Sequence, residues 1–261
     1  MTTVQASTTY TGDAWGELLR DCHRAGVPEG RFYELCERDD GYISVYDAAG
    51  FFAGPQDWPG LDQWAYSKVT GRTLDVGVGA GRFALTLQEN GADVVGLDVS
   101  EGAVEVCAER GLKSVVLGTV DDLGDDERFD SFLLLGKNLG LLESREEGPR
   151  LLSRLARVAR PGATVIGTGV DPYRLSDPRH ADYLERNRRQ DRLSGQMRLR
   201  LRHGWLATDW FDYLFVSPAE LEEMIAGTGW SLVDVEEEGS GYGVVLRLTG
   251  DTGAAATGSR A

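Results

Sequence analysis

One stretch constrains this chain more than any other: Thr73-Leu74-Asp75-Val76-Gly77-Val78-Gly79-Ala80-Gly81-Arg82-Phe83-Ala84-Leu85. An apolar run carrying one acid breaks into three glycines at alternate positions, and a helical pattern follows. The order predicts strand, tight turn and helix, the opening unit of a nucleotide-binding α/β fold. Gly77 and Gly79 allow a sharp turn with no Cβ in the way. Gly79 and Gly81 allow a ligand to approach the backbone and the next helix N-terminus. The spacing is G-x-G-x-G, not the dinucleotide G-x-G-x-x-G, and Asp75 sits two residues ahead of the first glycine.

From Arg72 onward the pattern alternates. Strands are expected at 73–76, 93–98, 114–117, 131–135 and 163–170, with helices at 83–90, 101–110 and 145–160 between them. Repeated βα units of this length predict a parallel sheet with helices on both faces. Ser217-Pro218-Ala219-Glu220 is a helix start. Residues 230–235 and 242–248 read as a closing antiparallel hairpin. Ahead of the alternation, 14–25 has helical spacing, and a second short helix is expected near 32–37. An aromatic, glycine-punctuated segment (Tyr42, Tyr46, Phe51, Phe52, Trp58, Trp64, Tyr66) reads as an irregular lid leading to a helix near 61–69. These aromatics either cover one edge of the sheet or close over a ligand, with Phe52 and Trp58 as candidate substrate contacts.

The segment 171–216 reads as an insertion of one helix, from about Pro178, and a hairpin of 197–203 with 210–216. Nine arginines run from Arg174 to Arg202 in a chain of net charge −15. They either recognise an anionic group or pair with acidic surface or a second subunit. The charge argues against nonspecific nucleic-acid binding. No apolar run approaches the ~20 residues of a membrane span, and residues 1–12 lack the features of a signal peptide. Cys22, Cys36 and Cys107 have no metal-like spacing and suit a reducing compartment. A cytoplasmic protein is expected, with no metal. The oligomeric state stays open, a homodimer among the options.

A glycine loop alone is weak, so its partners matter. Asp98 ends the second strand, where a carboxylate can accept from both hydroxyls of a ribose; capping the next helix is its other reading, and Ser100 suits that better. Gly118-Thr119-Val120-Asp121-Asp122 follows the third strand. Phe129-Asp130 opens the fourth, which leads to Gly136-Lys137-Asn138-Leu139-Gly140. This order resembles the small-molecule type of class I, Rossmann-like methyltransferases that use S-adenosylmethionine (SAM), over residues 72–170. The resemblance implies a doubly wound, mostly parallel seven-stranded sheet with an antiparallel C-terminal strand. It also implies methyl transfer to a small, specialised-metabolite acceptor, leaving S-adenosylhomocysteine. By it, Asp75, Gly77, Gly79 and Gly81 would cradle the methionine and sugar, Asp98, with Val99 beside it, would hold the ribose, Val120 and Asp121 would bound the adenine, and Gly136 would lie beneath the sulfonium. Thr119 stands where the family often has an acid. Lys137 beside a cation is unexpected, and should point away or meet substrate.

Methyl transfer needs alignment and exclusion of water, with proton removal for some acceptors. Asn138 reads as a holder of a substrate polar group or as a turn residue. His180, Tyr183 and Asn187 share one helix face that looks into the site or packs and caps; on the first reading His180 is the base, Tyr183 assists and Asn187 meets substrate. Tyr173 leaves the fifth strand at the carboxyl edge, where open sheets bind ligands. The expected division is a helical lid over 1–70, the SAM-binding domain over 71–250 and a disordered tail over 251–261. A non-methylating SAM binder or a SAM-using cyclase is the alternative. An NAD(P)-dependent oxidoreductase is opposed by the glycine spacing and by the lack of a Tyr-x-x-x-Lys pair.

Overall fold

A computed structural model describes residues 9–124 and 126–249; the expected tail over 251–261 lies outside them. A short strand β1 (Tyr10–Thr11) leads to helix α1 (Ala14–Arg24), then to strands β2 (Tyr33–Arg38) and β3 (Ile43–Asp47). Two 3-10 turns, Ala48–Phe52 and Pro55–Asp57, precede α2 (Gly60–Tyr66). The alternating part is β4 (Thr73–Val76), α3 (Arg82–Glu89), β5 (Val94–Asp98), α4 (Glu101–Glu109), β6 (Val115–Leu117), β7 (Phe129–Leu134), α5 (Glu147–Arg157) and β8 (Ala159–Val170). After it come α6 (Pro178–Arg189), β9 (Gly195–His203), β10 (Leu206–Ala207), β11 (Phe211–Phe215), α7 (Pro218–Met224), β12 (Trp230–Glu238) and β13 (Gly241–Leu248).

The main sheet has seven strands in the order β12-β13-β8-β7-β4-β5-β6. Neighbours are parallel from β8 to β6, while β13 runs antiparallel to both β8 and β12. Because successive side chains point to opposite faces, β7 feeds two cores. Phe132 and Leu134 pack with Leu152, Leu155 and Trp230 on one face. Leu133 and Leu135 pack with Phe83, Leu85 and Ile166 on the other. Strands covered on both faces are uniformly apolar, which is why this part was readable.

The N-terminal part differs from expectation. Residues 33–38 form strand β2, not a second helix. Tyr33-Glu34-Leu35-Cys36 alternates with period two, and Asp39-Asp40-Gly41 makes a hairpin turn with Gly41 at φ +88°. The inserted hairpin does not join the main sheet. β9 pairs with β2 on one side, Leu35 opposite Arg202 and Arg38 opposite Leu199, and with β11 through Phe211 opposite Leu199. A second sheet therefore combines strands from before and after the alternating part, in the order β1-β10-β9-β2-β3 with β11 also on β9.

Candidate active site

The loop after β4 is fastened to β5. The amides of Gly77 and Val78 donate to the Leu97 carbonyl, at 2.8 and 3.0 Å. Gly77 has φ +73°, and a Cβ there would meet the Asn138 amide nitrogen at 2.7 Å, so only glycine fits. Asp98 is buried, and its carboxylate accepts from the amides of Gly79 (2.9 Å) and Ser100 (3.0 Å). Burial pushes its pKa up against these bonds. Ser100 caps α4 through the Ala103 amide. The loop carbonyls are also held, Gly79 by the Cys107 thiol and Ala80 by the Arg110 guanidinium.

Asp75 is fully buried at the end of β4, and its Oδ2 has no hydrogen-bond partner. Burial lifts its pKa to about 7; Arg82 pulls it down, Asp98 pushes it further up. A buried carboxylate oxygen without a partner is costly, and beside a backbone loop with its amides turned inward it suits a cationic ligand group. Arg82 donates to Asp62 at 3.1 Å. Asp62 is buried and also accepts from the Gly136 amide (3.2 Å) and the Thr168 hydroxyl (3.1 Å). This chain of bonds joins the start of α3, just after the glycine loop, to the turn after β7 and to the carboxyl end of β8.

Trp15 of α1 lies over Gly79, 3.5 Å from where its Cβ would stand, and packs edge-on against Phe51. Phe52 stacks on His23 at 6.1 Å and packs with Leu19 and Ala80. Trp58 is core: it packs on Tyr66 and Phe83 and donates to the Ala53 carbonyl. At the same edge Val99 is 72% exposed, and Gly136 and Lys137 are exposed as well. Val120 is buried, while the Asp121 carboxylate pairs with Arg154 (3.0 Å) and Arg157 (2.6 Å).

Asn138 gives its side-chain amide to the carbonyls of Val76 (3.1 Å) and Gly77 (3.0 Å). It clips the turn after β7 to the glycine loop. Tyr213 of β11 leans on this turn, its hydroxyl donating to the Lys137 carbonyl at 2.7 Å. His180, Tyr183 and Asn187 do share one face of α6, and that face is engaged by protein. His180 Nδ1 meets Arg38 at 2.9 Å. The Tyr183 hydroxyl accepts from the Arg198 amide, and Asn187 donates to the carbonyls of Ser194 and Gln196. Burial and the Arg38 charge lower the His180 pKa. Tyr173 is 55% exposed, its hydroxyl donating to Glu220 at 2.7 Å. Burial and that carboxylate push its pKa up to about 12. Tyr173 and His180 line a groove of about 300 Å³ between α6 and the segment after β8.

Trp15, Asp62, Arg82, Glu34 and Tyr213 escaped the sequence reading. Arg82 adjoins the glycines, and its place beside Asp75 was the available signal. Glu34 and Tyr213 arrive through pairings distant in sequence, which no local pattern announces. Among the described residues no group of histidine, cysteine or acidic side chains is arranged for a metal ion, and no helix is long and apolar enough to cross a membrane.

Residues 74–167 match a family described as a methyltransferase domain. The cypemycin N-terminal methyltransferase of a Streptomyces species is 31% identical over 140 residues, 51% of this chain and 56% of that protein. The match thus spans about half the length of each curated relative. A SAM-dependent methyltransferase from Bacteroides fragilis, solved with S-adenosylhomocysteine, superposes with a TM-score of 0.76 at 22% identity, covering 94% of this chain and all of that one. The 1,6-didemethyltoxoflavin-N1-methyltransferase of Burkholderia thailandensis gives 0.50 at 17% identity, covering 73% and 79%. Residues 74–167 thus match a methyltransferase domain, and the chain shares its fold with a solved SAM-dependent methyltransferase.

Proposed function

We propose that the whole chain transfers the methyl group of SAM to a small-molecule acceptor, of the specialised-metabolite kind, by direct in-line displacement. The observation that carries this is the Asp75 Oδ2, buried and without a partner beside the glycine loop, because the methionine end of SAM carries positive charge. SAM supplies an already activated methyl group on a sulfonium. The protein's tasks are then to bind, align and exclude water. On this reading the backbone from Gly77 to Gly81 and Asp75 take the methionine part, and Asp98 takes the ribose hydroxyls on its free lone pairs. Val99 and Val120 flank the adenine, and Gly136 underlies the reacting end. The acceptor side is built by residues 1–70 and the insertion 171–216. The toxoflavin-precursor enzyme among the structural neighbours supports a small acceptor. The net charge of −15 favours small or cationic acceptors over nucleic acid. The free thiols of Cys22, Cys36 and Cys107 support a cytoplasmic setting.

Calorimetry on the full chain tests the reading. S-adenosylhomocysteine is expected to bind and NAD not to. Asp98→Ala is expected to cost about 1.5–3 kcal/mol of that binding, the range for hydrogen bonds to a charged group. Binding of NAD alone, or unchanged affinity in the variant, contradicts the assignment. Release of S-adenosylhomocysteine with an acceptor panel then reports transfer.

A further inference from the structure

Strand β2 carries two glutamates with opposite fates. Glu37 is met by arginines of β9, Arg200 at 2.8 Å and Arg202 at 3.3 Å. The neighbouring acids are served in the same way: Asp39 by Arg186, Asp40 by Arg38 and Asp212 by Arg192. Glu34 points to the other face of the strand, the face shared with Cys36 and the buried Arg38. It is half-buried, and no ion pair or hydrogen bond to its carboxylate is found among the described residues. In a segment so rich in arginine, a half-enclosed acid that none of them reaches is an exception.

The surroundings of Glu34 place it at the reacting edge. Lys137, from the turn after β7, and Tyr213 of β11 both act electrostatically on it or feel its charge. Tyr213 is bound to that same turn through the Lys137 carbonyl, and its ring fills the space that a Cβ on Gly140 would take. Asn138 clips the turn to the glycine loop. Glu34 is therefore within electrostatic reach of Tyr213 and of Lys137, whose turn adjoins Gly136.

Given methyl transfer beside Gly136, on which this inference rests, we propose that Glu34 binds an amine acceptor as its ammonium and takes its proton, so that the reaction is N-methylation. The steps balance. The ammonium gives a proton to the Glu34 carboxylate, leaving a neutral amine and a carboxylic acid. The freed nitrogen lone pair bonds to the methyl carbon as the carbon–sulfur bond breaks, and that bond's electron pair goes to sulfur. The methylated ammonium departs, and Glu34 releases its proton to solvent. An unpaired carboxylate in a chain of net charge −15 attracts a cation. Lys137, the cation that acts on Glu34, is exposed and forms no ion pair with it. Burial lifts the Glu34 pKa to about 7, with Lys137 opposing, which suits a base exchanging protons near neutral pH. Cys36 on the same face is raised to about 12 by burial and by Glu34, and so stays a neutral thiol. Burial also raises Tyr213, which stays a neutral phenol.

The test uses the full chain saturated with S-adenosylhomocysteine and titrated with a panel of primary and secondary alkyl- and arylalkylamines, with the matching alcohols alongside. At least one amine is expected to bind, and to bind at least tenfold more weakly to Glu34→Gln. The variant is expected to keep its affinity for S-adenosylhomocysteine within twofold. With SAM, turnover of that amine is expected to rise with pH through about 7 in the wild type and to lose this limb in Glu34→Gln, with partial recovery in Glu34→Asp. No amine binding, preference for the alcohols, or equal binding and an equal pH profile in Glu34→Gln overturns the inference. Failure of the wild type to bind S-adenosylhomocysteine overturns instead the reading on which it rests.

Discussion

Asp75 sets a trade between stability and binding. Its pKa, raised by burial to about 7, lies above the ordinary carboxylate value, so the neutral form favours the fold. That contribution is complete below the ordinary carboxylate range and is lost as pH rises toward 7. At pH 8 the ligand-free protein holds a charge whose Oδ2 has no partner. Asp75→Asn is therefore expected to raise the melting temperature of the ligand-free chain at pH 8, the gain shrinking as pH falls toward 5. The same variant is expected to bind S-adenosylhomocysteine more weakly at pH 8. A melting curve series from pH 5 to 8 checks the first part, and a gain independent of pH contradicts it.

At the scale of elements, two helix starts share one acid. Asp13 accepts from the Gly16 amide at the start of α1 and from the Gly102 amide at the start of α4, and it also receives the Ser100 hydroxyl. The helices cross so closely that a Cβ on Gly102 would meet the Gly16 Cα at 2.4 Å. Asp13→Ala removes a cap from each helix at about 1 kcal/mol apiece. Urea unfolding is expected to show a loss of about 2 kcal/mol, and a loss under about 0.5 kcal/mol contradicts the shared cap. Much of this element scale was readable in advance. The Ser100 and Ser217 caps are local signals, and the buried strands from β4 to β8 are apolar runs broken by glycine. β2 was not readable, because its apolar Tyr33 and Leu35 face outward while its inward residues are Glu34, Cys36 and Arg38. That inversion makes sense only beside β9, 163 residues away at the Arg200–Glu37 pair. The site divided along the same line. The glycines, Asp75 and Asp98 lie within two adjacent βα units and are written in order. The wall proposed for the acceptor is assembled from distant segments, and spacing within α6 could say which residues share a face but not what that face meets.

Over the whole molecule, Arg38 joins the segments on either side of the alternating part. It is 2% exposed, pairs with Asp40 at 2.8 Å, contacts His180, and lies against the rings of Tyr42 and Tyr183 at 4.8 and 4.1 Å. Losing charged hydrogen bonds of this kind costs about 1.5–3 kcal/mol. Arg38→Ala is thus expected to raise amide exchange by roughly tenfold or more in β2–β3 and in α6–β9 together, with β4 and β7 unchanged. Exchange that rises in one of the two segments alone contradicts the coupling.

The pairing of β2 with β9 also sets an order of assembly. During synthesis β2 and β3 emerge early and then wait, because the strand that completes their sheet comes only after the whole glycine-loop unit has left the ribosome. Closing so long a loop is favourable only once the main sheet has shortened the path between its ends. The parallel strands β4 to β8 can therefore form first, while the sheet bearing Glu34 waits for β9. A nascent chain halted before residue 195 carries the glycine loop without β9, the strand that the sheet bearing Glu34 needs.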